Sequence, residues 1–202
     1  MEFYYSPKSA AYAVHILLEE VDATYNLHLI DLKNSNQKEK SYLRINPKAR
    51  VPSLVTKDGV LTETPAILTY IAQLYSSKHF LPKTVFGFAK VQAFNTYLAS
   101  TVHVAHAHKH RGYRWTDDEK SQKFMSKKVK ENMSDCAEMI ENHFFIGPWV
   151  MGKQYTICDP YLALVYRWFG DDGVNLERFP KLKIHNTNMN LRPAVKRVAA
   201  FH

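Results

Sequence analysis

Apolar residues change their period along the chain, and the change divides it. EFYYS at the start reads as a strand, and SAAYAVHILLEEV then places Ala13, Ile16, Leu17 and Val21 at helical spacing. NLHLIDL is a second β-type run, and the polar stretch NSNQKEKSYLRI follows it. VPSLVTKDGVLTE reads as two short strands about Asp58-Gly59, a hairpin turn signal. TPAILTYIAQLY predicts a helix with Thr64 as N-cap and Pro65 as its first residue, carrying Ile67, Ile71, Leu74 and Tyr75 on one face. The order over residues 1–75 is β-α-β-α-β-β-α.

From Ser76 the strands stop. Residues 76–84 read as a linker, and 85–202 as all-helical, so the chain as a whole is α+β. Val91, Phe94, Leu98, Val102 and Ala105 form a buried stripe in a helix from about Val85 to His110, and a charged helix runs from about Thr116 to Phe144, stopped by Gly147-Pro148. Thr156-Ile157-Cys158-Asp159 has the form of a capping box, opening a helix striped by Ile157, Tyr161, Leu164, Val165 and Trp168. Two short helices follow Pro180 and Pro193.

Charge alters this picture little. The net +8 lies wholly in the second part, since residues 1–75 hold 8 Lys and Arg against 8 Asp and Glu. Much of the excess is Lys120, Lys123, Lys127, Lys128 and Lys130, with only Phe124 among them to stack a base, so a solvated helix face is expected and no nucleic-acid partner. No apolar run is long enough for a membrane span, and MEFYYSPKSAAY lacks the layout of a signal peptide. Cys136 and Cys158 have no zinc or redox spacing. A cytoplasmic protein without a membrane partner is expected.

Candidate chemistry gathers in the first part. Pro52 cannot donate to a sheet ladder and marks an edge, a bulge or a cis turn. With a cis bond, the backbone of Val51 can pair with an extended peptide. Glu63 and Thr64 fall at a helix N-terminus, whose free N–H groups favour a carboxylate while Glu63 can hold an ammonium. Such groups suit an amino-acid head followed by a peptide backbone.

YYSPKSAAYAVHILLEE, INPKARVPSLV and DGVLTETPAILTYIAQ resemble the N-terminal domain of bacterial glutathione transferases, nearest the beta class. GKQYTICDPYLALVYRW and RFPKLKIHNTNMNLRPAVKRV resemble the capped core helix and closing helices of that family. The resemblance implies a thioredoxin-like domain over 1–75, a helical domain over 85–202, glutathione as co-substrate without a metal, an electrophilic small-molecule substrate and a homodimer. It matches Val51 to the residue that pairs with the cysteinyl backbone of glutathione, Pro52 to the cis-proline, and Glu63 and Thr64 to the pair holding the γ-glutamyl head. Lys33 is its candidate for the glycyl carboxylate, in a loop one residue shorter than the family's.

One departure stands out. The beta-class pattern S-P-x-x-C-S puts its reactive cysteine where this chain has Ala10. The thiol must then be activated by a hydroxyl or a dipole, with Ser9 as first candidate, Tyr5 as second, and Ser6 and Tyr12 behind them. For Ser9 a purely capping role competes with the catalytic one. In HVAHAHKHRGYRW, His103, His106 and His110 share a helical face and His108 lies off it, with no third-ligand Cys or acid nearby, so a metal is disfavoured. The resemblance instead matches His103 to a histidine facing the active-site cleft, which Arg111, Arg114 and Trp115 can extend. His15, also matched, reads as a packing histidine. A glutathione-binding protein of this fold with little or no transferase activity is the alternative that the loss at Ala10 sustains.

Overall fold

The computed structural model describes all 202 residues, which form two compact units, Met1–Leu81 with Asn190–His202, and Pro82–Met189. The first unit is built on a four-stranded sheet in the order β2-β1-β3-β4. β1 (Glu2–Tyr5) runs parallel to β2 (Asn26–Leu29) and antiparallel to β3 (Ser53–Thr56), which pairs in a hairpin with β4 (Gly59–Thr62). With α1 (Ala11–Glu20), the single-turn α2 (Lys40–Leu43) and α3 (Thr64–Leu74), the order is the β-α-β-α-β-β-α expected of a thioredoxin-like domain. Alternation along β1 turns the buried rings of Phe3 and Tyr5 toward His15 of α1, while Tyr4 on the other face stacks on His28 and meets Tyr42.

Helix α1 is buried continuously from Ala11 to Leu18, more than a single apolar stripe requires, because it packs on both α3 and α9 (Pro193–Val198). The sequence reading had grouped residues 190–202 with the helical part. They fold with the first unit instead, held by Arg192 on Glu20 (2.8 Å), Arg197 on Glu19 (2.5 Å) and the His202 ring on His15 (3.0 Å). A second correction concerns α3, whose buried residues are Thr64, Ile67, Leu68, Ile71 and Ala72. Leu74, assigned to the stripe by its spacing, is the last helical residue and lies exposed.

The second unit contains helices only. α4 (Val85–Tyr97) passes through a π-helical turn at Leu98–Val102 into α5 (His103–Ala107), and the stripe Val91, Phe94, Leu98, Val102 and Ala105 is buried throughout. α6 (Glu119–Met139) starts at Asp118, whose carboxylate accepts the Ser121 N–H at 2.8 Å, and ends in a π turn at Ile140–Phe144. Its five lysines are exposed. Glu141, buried just beyond, accepts the N–H groups of Lys181 and Leu182, both at 3.0 Å, and so caps α8 (Pro180–Leu191).

α7 (Cys158–Asp171) is the core of this unit, buried on nearly every side of its first two turns. The capping box forms as its sequence predicts: the Thr156 N–H donates to Asp159 Oδ2 at 2.7 Å, and the Cys158 N–H reaches Thr156 Oγ1 at 3.3 Å. Asp159 also accepts the Val150 N–H (2.9 Å) and bonds His185 Nε2 (3.0 Å), so one buried carboxylate joins a loop and two helices. Asp159→Ala leaves those donors orphaned in the core and should cost about 3 kcal/mol or more, against about 1 kcal/mol for Thr156→Ala. Thermal unfolding of the two variants checks the order, and equal losses would show that Asp159 is no more than a cap.

Candidate functional site

Strand register decides which segments meet. Tyr4 pairs with Ser53, and Ser53 with Thr62. The residues just beyond these pairs, Tyr5 to Ser9, Val51-Pro52 and Glu63-Thr64, therefore lie at one end of the sheet. Lys33 is in an exposed loop, its N–H on Asp31 Oδ1 at 2.8 Å, and no contact draws its ammonium toward the others.

The Val51-Pro52 bond is cis. The loop before it is fixed by a buried set of side chains that sequence reasoning missed. The Tyr42 hydroxyl donates to the Arg50 carbonyl at 2.6 Å, and Asn46 Nδ2 donates to the same oxygen at 2.7 Å and to Ser53 Oγ at 3.1 Å. With the Tyr42 proton so placed, the Ser53 hydroxyl donates to Tyr42 at 2.9 Å, and Asn46 Oδ1 accepts the Lys48 N–H at 3.1 Å. Both amide protons of Asn46 are used. Tyr42, Asn46 and Ser53 are buried, whereas Val51 is partly exposed and outside the ladder. Polar residues crowded around Asn46-Pro47 were the available signal.

At the start of α3 the cap is one residue earlier than expected. Glu63 is the N-cap, with φ 70°, Thr64 is the first helical residue and Pro65 the second. No side chain caps this helix, so the N–H groups of Thr64 and Ala66 have no partner within it. Thr64 is buried; the Glu63 carboxylate is largely exposed and pairs with the Lys48 ammonium, which also donates to Thr62 Oγ1 at 2.6 Å. Lys48, another residue not singled out from sequence, stands on Glu63 as an ammonium ligand would.

At the start of α1 the Ser9 hydroxyl donates to the Ser6 carbonyl at 2.7 Å and accepts the Ala11 N–H at 3.2 Å. It is thus already a capping hydroxyl, and the Ala11 N–H is taken by it. No hydrogen bond engages the Ala10 N–H. Tyr5 is buried with its ring 5.2 Å from that of His202, which lies equally far from Tyr12.

His15 belongs to a chain of hydrogen bonds that includes His202. Tyr25 donates to Glu19 Oε1 (2.6 Å), His15 Nε2 meets the Tyr25 oxygen (2.8 Å), and His15 Nδ1 meets His202 Nε2 (3.0 Å). Since Tyr25 gives its proton to Glu19, His15 donates from Nε2 and accepts at Nδ1, the neutral tautomer. Burial, only partly opposed by Glu19, lowers its pKa to about 4. A cleft of about 760 Å³ opens beside this chain, lined by Glu19, Tyr25, Leu27, Arg197 and Phe201 among others; it contains none of the expected glutathione contacts.

In the helical unit the histidines do not share one face toward a metal. His103 and His106 both lie on Trp168, at 4.7 and 4.6 Å, His108 meets Trp115 at 4.3 Å, and His110 is exposed. Arg111 is partly exposed, and Arg114 and Trp115 are exposed. No group of three His, Cys, Asp or Glu has the geometry to hold a metal ion.

The N-terminal domain family of glutathione S-transferases matches residues 2–73. Glutathione S-transferase GstA of Escherichia coli O157:H7 is 27% identical over 199 residues, covering 97% of this chain and 96% of that protein. Among solved structures, a glutathione transferase homologue from Sulfitobacter with bound glutathione has a TM-score of 0.96 and 37% identity, over 98% of this chain and 96% of that one. A glutathione S-transferase from Xylella fastidiosa, at 23% identity, shares the fold with a TM-score of 0.89.

The lowered His15 pKa has a pH consequence. Below about pH 6.5 the unfolded chain takes up a proton at His15 that the folded chain refuses until about pH 4, so stability falls across that window, by about 3 kcal/mol at most. His15→Gln should be less stable at neutral pH yet flatter between about pH 6.5 and 4. Urea unfolding at several pH values tests this, and parallel curves for the two proteins would contradict it.

Proposed function

The chain belongs to the glutathione S-transferase family, and from that premise we propose that it holds glutathione at the sheet end bearing Val51, Pro52, Glu63 and Thr64. The thiolate formed there is conjugated to an electrophilic small molecule. The observation that carries the reading is the register of β1, β3 and β4, which gathers three segments with open backbone groups at one place. Val51 offers an extended edge to the cysteinyl backbone, and the uncapped start of α3 offers N–H groups and dipole to the γ-glutamyl carboxylate. Glu63 takes the ammonium, releasing Lys48. Bound glutathione in the Sulfitobacter homologue supports this use of the fold.

With Ala10 in place of a thiol, activation falls to the start of α1. A free thiol has pKa about 8.5, and the positive end of a helix with a hydroxyl donor raises the thiolate fraction at neutral pH. Ser9 can turn its proton from the Ser6 carbonyl to a sulfur, and the Ala10 N–H adds to the same field. Tyr5 is the second donor, and His103 is assigned to the electrophile side. Lys33 remains the candidate for the glycyl carboxylate.

A second reading, a glutathione binder with little turnover, is favoured by the Ser9 proton already being committed to Ser6. Calorimetric titration of glutathione with a chloronitroarene assay on the same sample separates the two: binding with turnover supports the transferase, binding alone the second reading, and neither result rejects both. We assign the protein to the cytoplasm as a homodimer. The two buried thiols, both free, suit a reducing compartment, and Val85 and Phe86 at the start of α4 are 88% and 72% exposed, apolar surface that a second copy would cover.

Glu63→Ala should weaken glutathione binding about 10- to 100-fold, the loss of one charge-assisted hydrogen bond, with little change in melting temperature because the side chain is exposed. Unaltered affinity by calorimetry would remove Glu63 from the site. Ser9→Ala should raise the pKa of bound glutathione by about 1 to 2 units and cost about 1 kcal/mol as a lost cap. Tyr5→Phe should shift it less, its ring being buried among others. Thiolate absorbance across pH ranks the two, and a larger shift for Tyr5→Phe would move the donor to the strand.

A further inference from the structure

The outer face of α6 carries its charges in an order that a lone helix does not favour. Residues 119–129 hold four lysines and one glutamate, and residues 130–139 hold one lysine and three acids. The basic half lies at the positive end of the helix dipole and the acidic half at the negative end, so charge and dipole oppose each other in both halves. Val129, Met133, Cys136 and Ala137 turn into the core. On the opposite side Lys120, Phe124, Lys127, Glu131, Ser134 and Glu138 follow at alternating steps of four and three residues, the spacing of a seam where two helices lie side by side. All of these but Ser134 are exposed, Phe124 to 61%. Within the chain Glu131 pairs with Lys128, Glu138 lies 3.9 Å from Arg178, and the Lys127 ammonium sits over the Phe124 ring.

We propose that this face is an isologous interface with a second copy of the chain, the two α6 helices lying antiparallel about a two-fold axis level with Val129. The seam is centred for it: Lys120 and Glu138, Phe124 and Ser134, and Lys127 and Glu131 stand nine, five and two residues on either side of Val129. In an antiparallel pair each residue therefore meets its opposite number, both ion pairs form twice, and the small Ser134 leaves room for the partner's Phe124. The basic half of one helix then covers the acidic half of the other, and the two antiparallel dipoles attract. A parallel pair would set lysine on lysine and acid on acid. Taken alone, the lysines suit any polyanion; the acids that follow them repel one and select a partner with the reverse charge order, which this same helix has. The seam is charged where a coiled coil is apolar, and exposed ion pairs add little each, so the contact is weak and sensitive to salt. It shares no residue with the apolar surface at Val85 and Phe86, and it does not depend on glutathione turnover.

Sedimentation of the whole protein over a concentration series reads the contact, at about 20 mM and about 0.5 M salt, between which the screening length falls from about 20 Å to about 4 Å. Expected is an association step at low salt, beyond the particle present at high salt, with a dissociation constant at least about tenfold smaller. Lys120→Glu with Lys127→Glu makes the seam wholly acidic, and Glu131→Lys with Glu138→Lys makes it wholly basic. Each double variant alone should lose the step. An equal mixture should regain it, because the two seams are then complementary at every pair, and recovery in the mixture also shows that both variants fold. Phe86→Glu, which disrupts the apolar surface assigned to the homodimer, should keep the salt-sensitive step. No step in the wild type, a step that either double variant keeps alone, a mixture no larger than its components, or loss of the step in Phe86→Glu would overturn the proposal. So would binding of heparin by the wild type, tightened in Glu131→Lys with Glu138→Lys and unaccompanied by self-association, which would assign the lysines to a polyanionic partner.

Discussion

The Arg50 carbonyl, gripped by the Tyr42 hydroxyl and the Asn46 amide, is the fixed point on which the N-terminal unit depends. A carbonyl at the mouth of a sheet would ordinarily bond water or a strand neighbour. Here two buried side chains take it, and Ser53, the first residue of β3, closes the set. Because every polar hydrogen on the side chains of Tyr42, Asn46 and Ser53 is used within the set, rotating any member strands another in the interior, which is costly in a low-dielectric surrounding. The loop is thereby held so that the next peptide groups, at Val51, are the ones left open. In the proposed reading, that opening is where the peptide backbone of glutathione pairs.

The helical unit uses buried carboxylates in two different ways. Asp159 takes donors from Val150, Thr156 and His185, and its histidine partner is wholly buried, so nothing remains to act outward. Asp172 also holds a histidine, but His106 keeps an edge in solvent and its other neighbours are an indole face and an ammonium. The same pairing is sealed in the core in the first place and open at one edge in the second. What separates them is the exposure of the imidazole and not the hydrogen bond itself.

Much of this architecture was legible in the sequence because it is periodic or local. The stripe from Val91 to Ala105 survives even a π turn, since each residue still falls on the inner face. The Thr156-Asp159 box is legible because both partners lie within one turn. The cap of α3 was misplaced by one residue because the positive φ of Glu63 leaves no mark in a Thr-Pro start. The Tyr42, Asn46 and Ser53 set was invisible for another reason: its members are spread over a stretch that reads as polar loop, and only the fold makes them neighbours. His106 and Asp172 are 66 residues apart, beyond any spacing rule. The final segment read as one more helix of the second unit because nothing in its own pattern names Glu19 and Glu20 as its partners.

Ala10 makes the start of α1 informative by what it cannot do. Without a thiol there, no covalent intermediate with glutathione can form at that position, and both cysteines of the chain are buried in α6 and α7 with burial raising their pKa. The reactive sulfur must then belong to the ligand, and the protein's task changes from supplying a nucleophile to stabilising one. An alanine suits that task, because a small apolar residue leaves room for the ligand's sulfur without competing for the helix end. Ser9 keeps the helix capped while no ligand is present. The cost of turning its proton to a thiolate is one hydroxyl rotation against a charge-assisted bond about twice as strong as the neutral one it replaces. On that balance the capping role of Ser9 and the catalytic role proposed for it are compatible as successive states of a single hydroxyl.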